Sequence, residues 1–273
     1  RYDVATVMRK LPEATVMMGV PTFYTRLLEQ EEFSRENCAN MRLFISGSAP
    51  LLAETPREFE ARTGHRILER YGMTETGMIT SNPYDGERLA GTVGYALPGI
   101  RVRVADDTGN ELPRGEAGVL EITGPNVFQG YWQMPDKTAE EFRSDGWFIT
   151  GDIAVMADDG RVTIVGRAKD LIISGGFNVY PKEIESVIDD LPGIKESAVF
   201  GIPHPDFGEA VTAVVVPDGS AELSEPSVVA ALKDRLARFK QPKRVFIVDA
   251  LPRNTMGKVQ KNILRDTYRD IFT

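Results

Sequence analysis

Between Met41 and Tyr71 the chain runs strand, helix, strand, and no other stretch constrains the fold as much. Met41-Arg-Leu-Phe-Ile-Ser46 is a short apolar run closed by Gly47, the pattern of a buried strand. Leu52 to Thr63 reads as a helix, with Phe59 and Ala61 inward and Gly64 as its stop. His65 to Tyr71 returns as a strand. Strands joined through a helix lie parallel, and functional loops are then expected at their carboxyl ends.

From about Gly91 the pattern changes to short strands. Ile100, Val102 and Val104 alternate with Arg101, Arg103 and Ala105, the period of a half-buried strand. Turn signals follow at Asp107-Thr-Gly109, Pro113-Arg-Gly115 and Asp158-Asp-Gly160, the last inside a hairpin. After Gly166-Arg167, Pro181 opens a helix with Ile184, Val187, Ile188 and Leu191 as its apolar stripe, ended by Pro192-Gly193. Strands are expected near Ser197–Gly201, Val211–Val216 and Val245–Val248. A helix is expected from Pro226 that presents Val228, Leu232, Leu236 and Phe239. The expected fold class is thus α/β and α+β. Residues 1–168 are expected to form one part (1–90 α/β, 91–168 β-rich) and residues 169–273 a small α+β domain.

Composition removes several functions. With 32 basic against 40 acidic residues the net charge is −8, unfavourable for a nucleic-acid partner. No run approaches the roughly 20 apolar residues of a membrane span, and no signal peptide is evident, so a cytoplasmic location is the default. Cys38 is the sole cysteine, so an internal disulfide or thiolate cluster is out of reach. His65 and His204 are the only histidines and lie far apart, which disfavours zinc or Ser-His-Asp hydrolysis; His65 is expected to open a strand. The Walker, zincin, nucleophile-elbow and dinucleotide motifs are absent, and the only Gly-Lys pair, Gly257-Lys258, is followed by Val259.

Four segments are over-specified for loops. They are Glu69-Arg-Tyr-Gly-Met-Thr-Glu-Thr76, Phe148-Ile-Thr-Gly-Asp152, Gly166-Arg-Ala-Lys-Asp170 running into Ser174-Gly-Gly-Phe-Asn-Val-Tyr-Pro181, and Pro252-Arg-Asn-Thr-Met-Gly-Lys258. Singly each has a plain structural reading: a tight turn, a helix start, a solvated lysine.

Their order and spacing together resemble the adenylate-forming acyl-CoA synthetase (AMP-binding) superfamily. Ser46-Gly-Ser-Ala-Pro50, Gly124-Pro-Asn-Val-Phe-Gln-Gly-Tyr131 and Gly201-Ile-Pro-His-Pro-Asp206 are further matches. Within the superfamily the chain is most similar to malonyl-CoA synthetases, at Glu69–Tyr84, Phe207–Ala213 and Leu251–Lys261. The superfamily's upstream Gly/Ser/Thr-rich phosphate loop ending in Pro-Lys-Gly does not occur here, so the resemblance implies the C-terminal portion of a longer synthetase.

The resemblance implies ATP, Mg²⁺ and coenzyme A as cofactors and a small carboxylic acid as substrate. The acid attacks the α-phosphorus of ATP, pyrophosphate leaves, and the thiol of coenzyme A then displaces AMP. Lys258 would bridge carboxylate and phosphate during adenylation, and Glu75 would hold Mg²⁺. Thr74 would bond the α-phosphate. Asp152 would accept from the ribose hydroxyls, with Arg167 beside them. Tyr71 would offer its ring to adenine opposite Gly47, Ser48 and Ala49, with Arg70 and Gly72 in the same nucleotide site. Lys169 would be the hinge about which the small domain rotates, and Ser174, Gly175 and Gly176 would border the pantetheine tunnel. Arg26 is either the partner of a second substrate carboxylate or a helix-surface residue; Met73 and Met78 either line an acyl pocket or belong to the core. Transfer to a carrier-protein thiol and a non-catalytic nucleotide- or partner-binding module are the alternatives, and oligomeric state leaves no mark in the sequence.

Overall fold

The computed structural model describes residues 2–49, 51, 54–254 and 257–272. It divides into two compact units, Arg1–Ile164 and Val165–Thr273.

The first unit opens with helix α1, Val4–Lys10, whose N-terminus is capped by Asp3 accepting from the Thr6 amide at 2.8 Å. Strand β1 is Val16–Gly19, helix α2 is Pro21–Leu28, strand β2 is Leu43–Ser46 and helix α3 is Glu54–Thr63. Strands β3, Ile67–Met73, β4, Gly77–Ser81, and β5, Tyr95–Ala96, complete a sheet in the order β1-β2-β3-β4-β5. The pairs β1–β2 and β2–β3 are parallel, as strand–helix–strand connection requires. β4 and β5 join antiparallel.

The core beneath is aromatic: Tyr24, Phe33, Phe44 and Phe59 are buried, and the Phe44 and Phe59 rings meet edge to face at 4.8 Å. Helix α3 turns Thr55, Phe59 and Thr63 inward, one face at a spacing of four. Ala61 is exposed, against expectation, because two residues from Phe59 is the opposite side of a helix. Leu52, the expected first residue of this helix, lies outside the described residues. His65 does not open β3. It stands two residues before it, packs on Phe44 at 5.3 Å and puts a ring nitrogen 3.2 Å from the Cys38 carbonyl.

The second sheet of this unit runs β6-β7-β8-β9, with β6 Arg101–Ala105, β7 Ala117–Thr123, β8 Phe148–Met156 and β9 Val162–Arg167; helix α4, Pro135–Glu140, precedes β8. Ala105 is buried rather than outward, since at the strand end it lies between Val119 of β7 and a bridge to Glu111, with Gly118 packed on its carbonyl.

In the second unit, β10 Ile172–Ser174 and β11 Phe177–Val179 form a hairpin turned by Gly175 (φ +59°) and Gly176 (φ +82°), both in the left-handed region where only glycine is comfortable. Helix α5 is Pro181–Asp189, β12 Ile194–His204, β13 Gly208–Pro217, α6 Glu225–Leu232, β14 Arg244–Ile247 and α7 Lys261–Tyr268. The sheet order is β11-β10-β13-β12, with β14 parallel to β13. Both faces are covered. Val199, Val211, Ala213 and Val215 point into one core with Ile184, Ile188, Val228 and Leu232, while Phe200, Ile202, Val214 and Val216 point into another with Leu251 and Leu264. The expected helix from Pro226 ends at Leu232. Leu236 and Phe239 reach the same core from turns, whose Lys233 and Leu236 carbonyls are met by the Gln241 amide at 3.0 and 2.9 Å.

Candidate functional site

Strand β3 carries Arg70, Tyr71 and Gly72 to the end of the first sheet, and the chain reverses through Thr74, Glu75 and Thr76 into β4. The reversal is tight. A Cβ on Gly72 would stand 2.2 Å from the Gly77 carbonyl oxygen, so that position admits no side chain. Thr76 is buried and its hydroxyl donates to the Gly77 carbonyl at 3.1 Å, which leaves Thr74 exposed at the tip and Glu75 half-buried beside it.

The segment 124–131 braces this turn. The Asn126 amide donates to the Thr76 carbonyl at 2.8 Å, the Phe128 amide to the Glu75 carbonyl at 2.8 Å, and the Tyr131 hydroxyl to Glu75 Oε1 at 3.0 Å. Burial and that carboxylate push the Tyr131 phenol up to about 12, so it stays a donor. Tyr131 and Asn126 were not singled out as site residues by sequence reasoning; their signal was the Gly124–Tyr131 stretch itself.

Asp152 sits in strand β8, not in a turn as the Thr-Gly-Asp pattern implies. Gly151, at φ +69°, makes a bulge there: Val119 pairs with Ile153 and Glu121 with Ile149, so β8 carries extra residues between them. The Thr150 hydroxyl donates to the Leu120 carbonyl at 2.7 Å and receives the Asp152 amide at 3.1 Å. The bulge aims the buried Asp152 carboxylate at the Tyr71 hydroxyl, which donates to it. Residues far apart in sequence thus meet in one polar contact, with Tyr71 on one sheet and Asp152 on the other.

Beside Tyr71 lies a cavity of about 300 Å³ lined by Met18, Phe23, Gly47, Ser48, Arg70 and Met78 among others. Gly47 sits against the Arg70 carbonyl, 3.2 Å from where its Cβ would be, and Ser48 adopts φ +68°, a left-handed conformation unusual for serine. Ala49 follows, half-buried. Arg70 donates to the Met18 sulfur at 3.3 Å, a weak acceptor, and makes no ion pair among the described residues. Met78 lines this cavity, whereas Met73 packs with the core under β6–β9. Arg26 lies on the exposed side of α2, its guanidinium 5.8 Å from the Tyr2 ring centroid. Behind the cavity Glu69 is buried, accepts from the Gly91 amide at 2.9 Å, and is pushed by burial up to about 7.

The other expected site residues belong to the second unit. Arg167 and Lys169 are exposed, and Lys169 sits in a single 3₁₀ turn, Ala168–Asp170, anchored by the Arg265–Asp170 pair at 2.8 Å. Ser174 is buried at the hairpin where Gly175 and Gly176 are exposed, and the Gly175 amide donates to the Phe207 carbonyl at 2.9 Å. Lys258 is half-buried on a small closed loop; Thr255 and Met256 of that loop lie outside the described residues.

A parallel α/β sheet bearing a Tyr-Gly-Met-Thr-Glu turn at its strand ends, a β-sheet supplying a buried aspartate, and a compact α+β unit define an adenylation-type fold. The AMP-binding enzyme family profile matches residues 5–132, and that of the AMP-binding enzyme C-terminal domain matches residues 183–258. The chain belongs to the AMP-binding enzyme family. A long-chain-fatty-acid–CoA ligase of Yersinia pestis is 41% identical over 253 residues, covering 92% of this chain and 45% of the relative. A malonate–CoA ligase of Arabidopsis thaliana is 39% identical over 270 residues, with 92% and 44% covered. The crystal structure of ATP-bound MatB from Rhodopseudomonas palustris superposes with a TM-score of 0.98 at 61% identity, covering all of this chain and 55% of that one. The chain spans about half the length of the curated relatives it matches.

Proposed function

We propose that this chain is part of an AMP-forming acid–thiol ligase that activates malonate or methylmalonate as the acyl-adenylate and passes the acyl group to coenzyme A. The fold and the named CoA ligases among its relatives support the reaction. Those names alone do not choose the acid, since a long-chain and a malonate ligase are similar to this chain to the same degree. The choice rests on Arg70. Among the described residues the Arg70 guanidinium bonds a thioether in the wall of a cavity of about 300 Å³, so in this reading it serves the acid rather than the nucleotide: its charge is available for a second carboxylate, and the space suits a short acid.

In this reading Tyr71 and the Gly47–Ala49 backbone enclose the adenine, Asp152 takes the ribose hydroxyls and Arg167 adds a cation. Thr74, exposed at the tip of the turn, donates to the α-phosphate. Glu75 fits a magnesium ion: it offers a hard carboxylate oxygen held in place by Tyr131. When bound, the ion neutralises phosphate charge. Lys258 serves adenylation, Lys169 is the pivot between half-reactions, and Ser174, Gly175 and Gly176 border the thiol's approach.

The test is ATP–pyrophosphate exchange with malonate, methylmalonate, butyrate and decanoate, in wild type and in Arg70→Met. Malonate is expected to be preferred, and the substitution to cut its kcat/KM about 100-fold while leaving butyrate within a few-fold, because only the diacid leaves a charge unpaired. Preference for decanoate in the wild type would discard the diacid and favour the long-chain reading.

A further inference from the structure

The loop carrying Lys258 holds its own shape. The Asn254 amide donates to the Lys258 carbonyl and the Lys258 amide to Asn254 Oδ1, each at 2.9 Å; the Gly257 amide donates to the Asn254 carbonyl at 2.9 Å, and Arg253 bridges Val259 antiparallel. Gly257 takes φ +79°, which permits the sharp turn before Lys258. Such local bonds join Asn254, Gly257 and Lys258 to one another without setting where Lys258 stands on the unit beneath.

That second task falls to a fork. Arg253 Nη1 donates to the Gly257 carbonyl at 2.6 Å, while Nη2 is ion-paired with Glu196 on β12. Glu196 itself stands on the backbone paired with Val216 of β13, just past the irregularity after Ile194. The stem of the loop is held separately: Leu251 and Leu264 are buried, and Lys261 pairs at 2.6 Å with Glu185, which also accepts the Val199 amide at 2.9 Å. Thus the stem is tied to the core, and among the described residues the guanidinium of Arg253 ties the residue just before Lys258 to the sheet.

We infer that Arg253 is the positioning residue for Lys258, and that Glu196 is its anchor. The inference rests on the adenylation role given to Lys258 above. Arginine is required because a planar fork can hold a carbonyl and a carboxylate at once, whereas an ammonium is a point charge. Neither residue touches substrate in this scheme. Their effect is confined to the half-reaction that uses Lys258.

Two half-reactions are measured separately on the full-length protein: ATP–pyrophosphate exchange, and thioester formation from preformed malonyl-AMP and coenzyme A. Arg253→Ala is expected to lower the exchange kcat by about 10- to 100-fold with little change in KM, the scale of a misplaced catalytic group. Thioester formation from the adenylate stays at the wild-type rate, and that same preparation certifies the fold. Arg253→Lys recovers part of the exchange, and Glu196→Gln falls in the same direction by less. Equal loss in both half-reactions would make Arg253 a merely structural residue and overturn the inference. So would near wild-type exchange in both Arg253→Ala and Glu196→Gln while Lys258→Ala abolishes it, an outcome that leaves the reading of Lys258 intact. Exchange that survives Lys258→Ala removes the premise and the inference together.

Discussion

Glu69 gives this fold a stability that falls as pH rises. Its carboxyl is buried directly before the Arg70–Thr76 segment, and its one described side-chain bond is the Gly91 amide at 2.9 Å. Burial raises its pKa from 4.5 to about 7, and the Gly91 amide offsets only part of that. A raised folded-state pKa means that the native protein holds its proton where the unfolded chain has released it. The contribution is therefore fully present below pH 4.5 and is lost as pH climbs through 7. Each pH unit across that window removes roughly 1.4 kcal/mol, about 3 kcal/mol in all. Glu69→Gln keeps an oxygen for the Gly91 amide and cannot ionise. Urea denaturation of both proteins at pH 4.5, 6 and 8 is expected to show the two equally stable at the lowest pH and the variant ahead by up to about 3 kcal/mol at the highest. A stability difference that does not change with pH would refute the reasoning, because it would mean that the native carboxyl ionises as it does in the unfolded chain.

Asp189 behaves alike in the second unit: burial raises it from 3.8 to about 7 despite the Ser197 hydroxyl at 2.7 Å, so Asp189→Asn should stabilise at pH 8 and not at pH 4, read by the same titration. Gly72→Ala should destabilise by more than about 2 kcal/mol in thermal or urea unfolding, since the added methyl meets the Gly77 carbonyl and backbone cannot yield cheaply. Gly151→Ala meets nothing within 4 Å and should cost only the about 1–2 kcal/mol of its left-handed φ, a contrast that separates collision from conformational strain in one experiment. Tyr71→Phe removes a donor from buried Asp152 and should cost about 1–3 kcal/mol by urea denaturation; an unchanged midpoint would show that the contact carries no stability.

Much of the scaffold was legible because burial leaves a period in the sequence. The parallel β2–α3–β3 unit followed from apolar runs and a glycine stop, and α5 from its stripe of Ile184, Val187 and Ile188. Where expectation and fold part, the causes are local. Ala61 is apolar and so expected inward, although helical spacing from Phe59 turns it to solvent. The helix from Pro226 is shorter than its apolar pattern because Leu236 and Phe239 keep the spacing while the backbone turns away after Leu232. Helix α7 has no counterpart in the expectation: Leu264 is its one buried residue, and Tyr268 joins that core by stacking on Phe246, a contact across the fold that no local period reveals.

By itself the sequence determined that β2 and β3 run parallel, that Gly175-Gly176 turns a hairpin, and that α5 buries one apolar stripe, because those follow from periodicity and backbone sterics along neighbouring residues. The tertiary structure alone decided that Gly151 is a bulge aiming Asp152 at Tyr71, that Tyr131 holds Glu75, that Arg70 faces a thioether in a small cavity, and that Arg253 straps the Lys258 loop to Glu196. Each of these is a meeting of side chains far apart in the chain. Local propensity carries no information about such meetings; they arise only when two packed elements bring the side chains within hydrogen-bond reach.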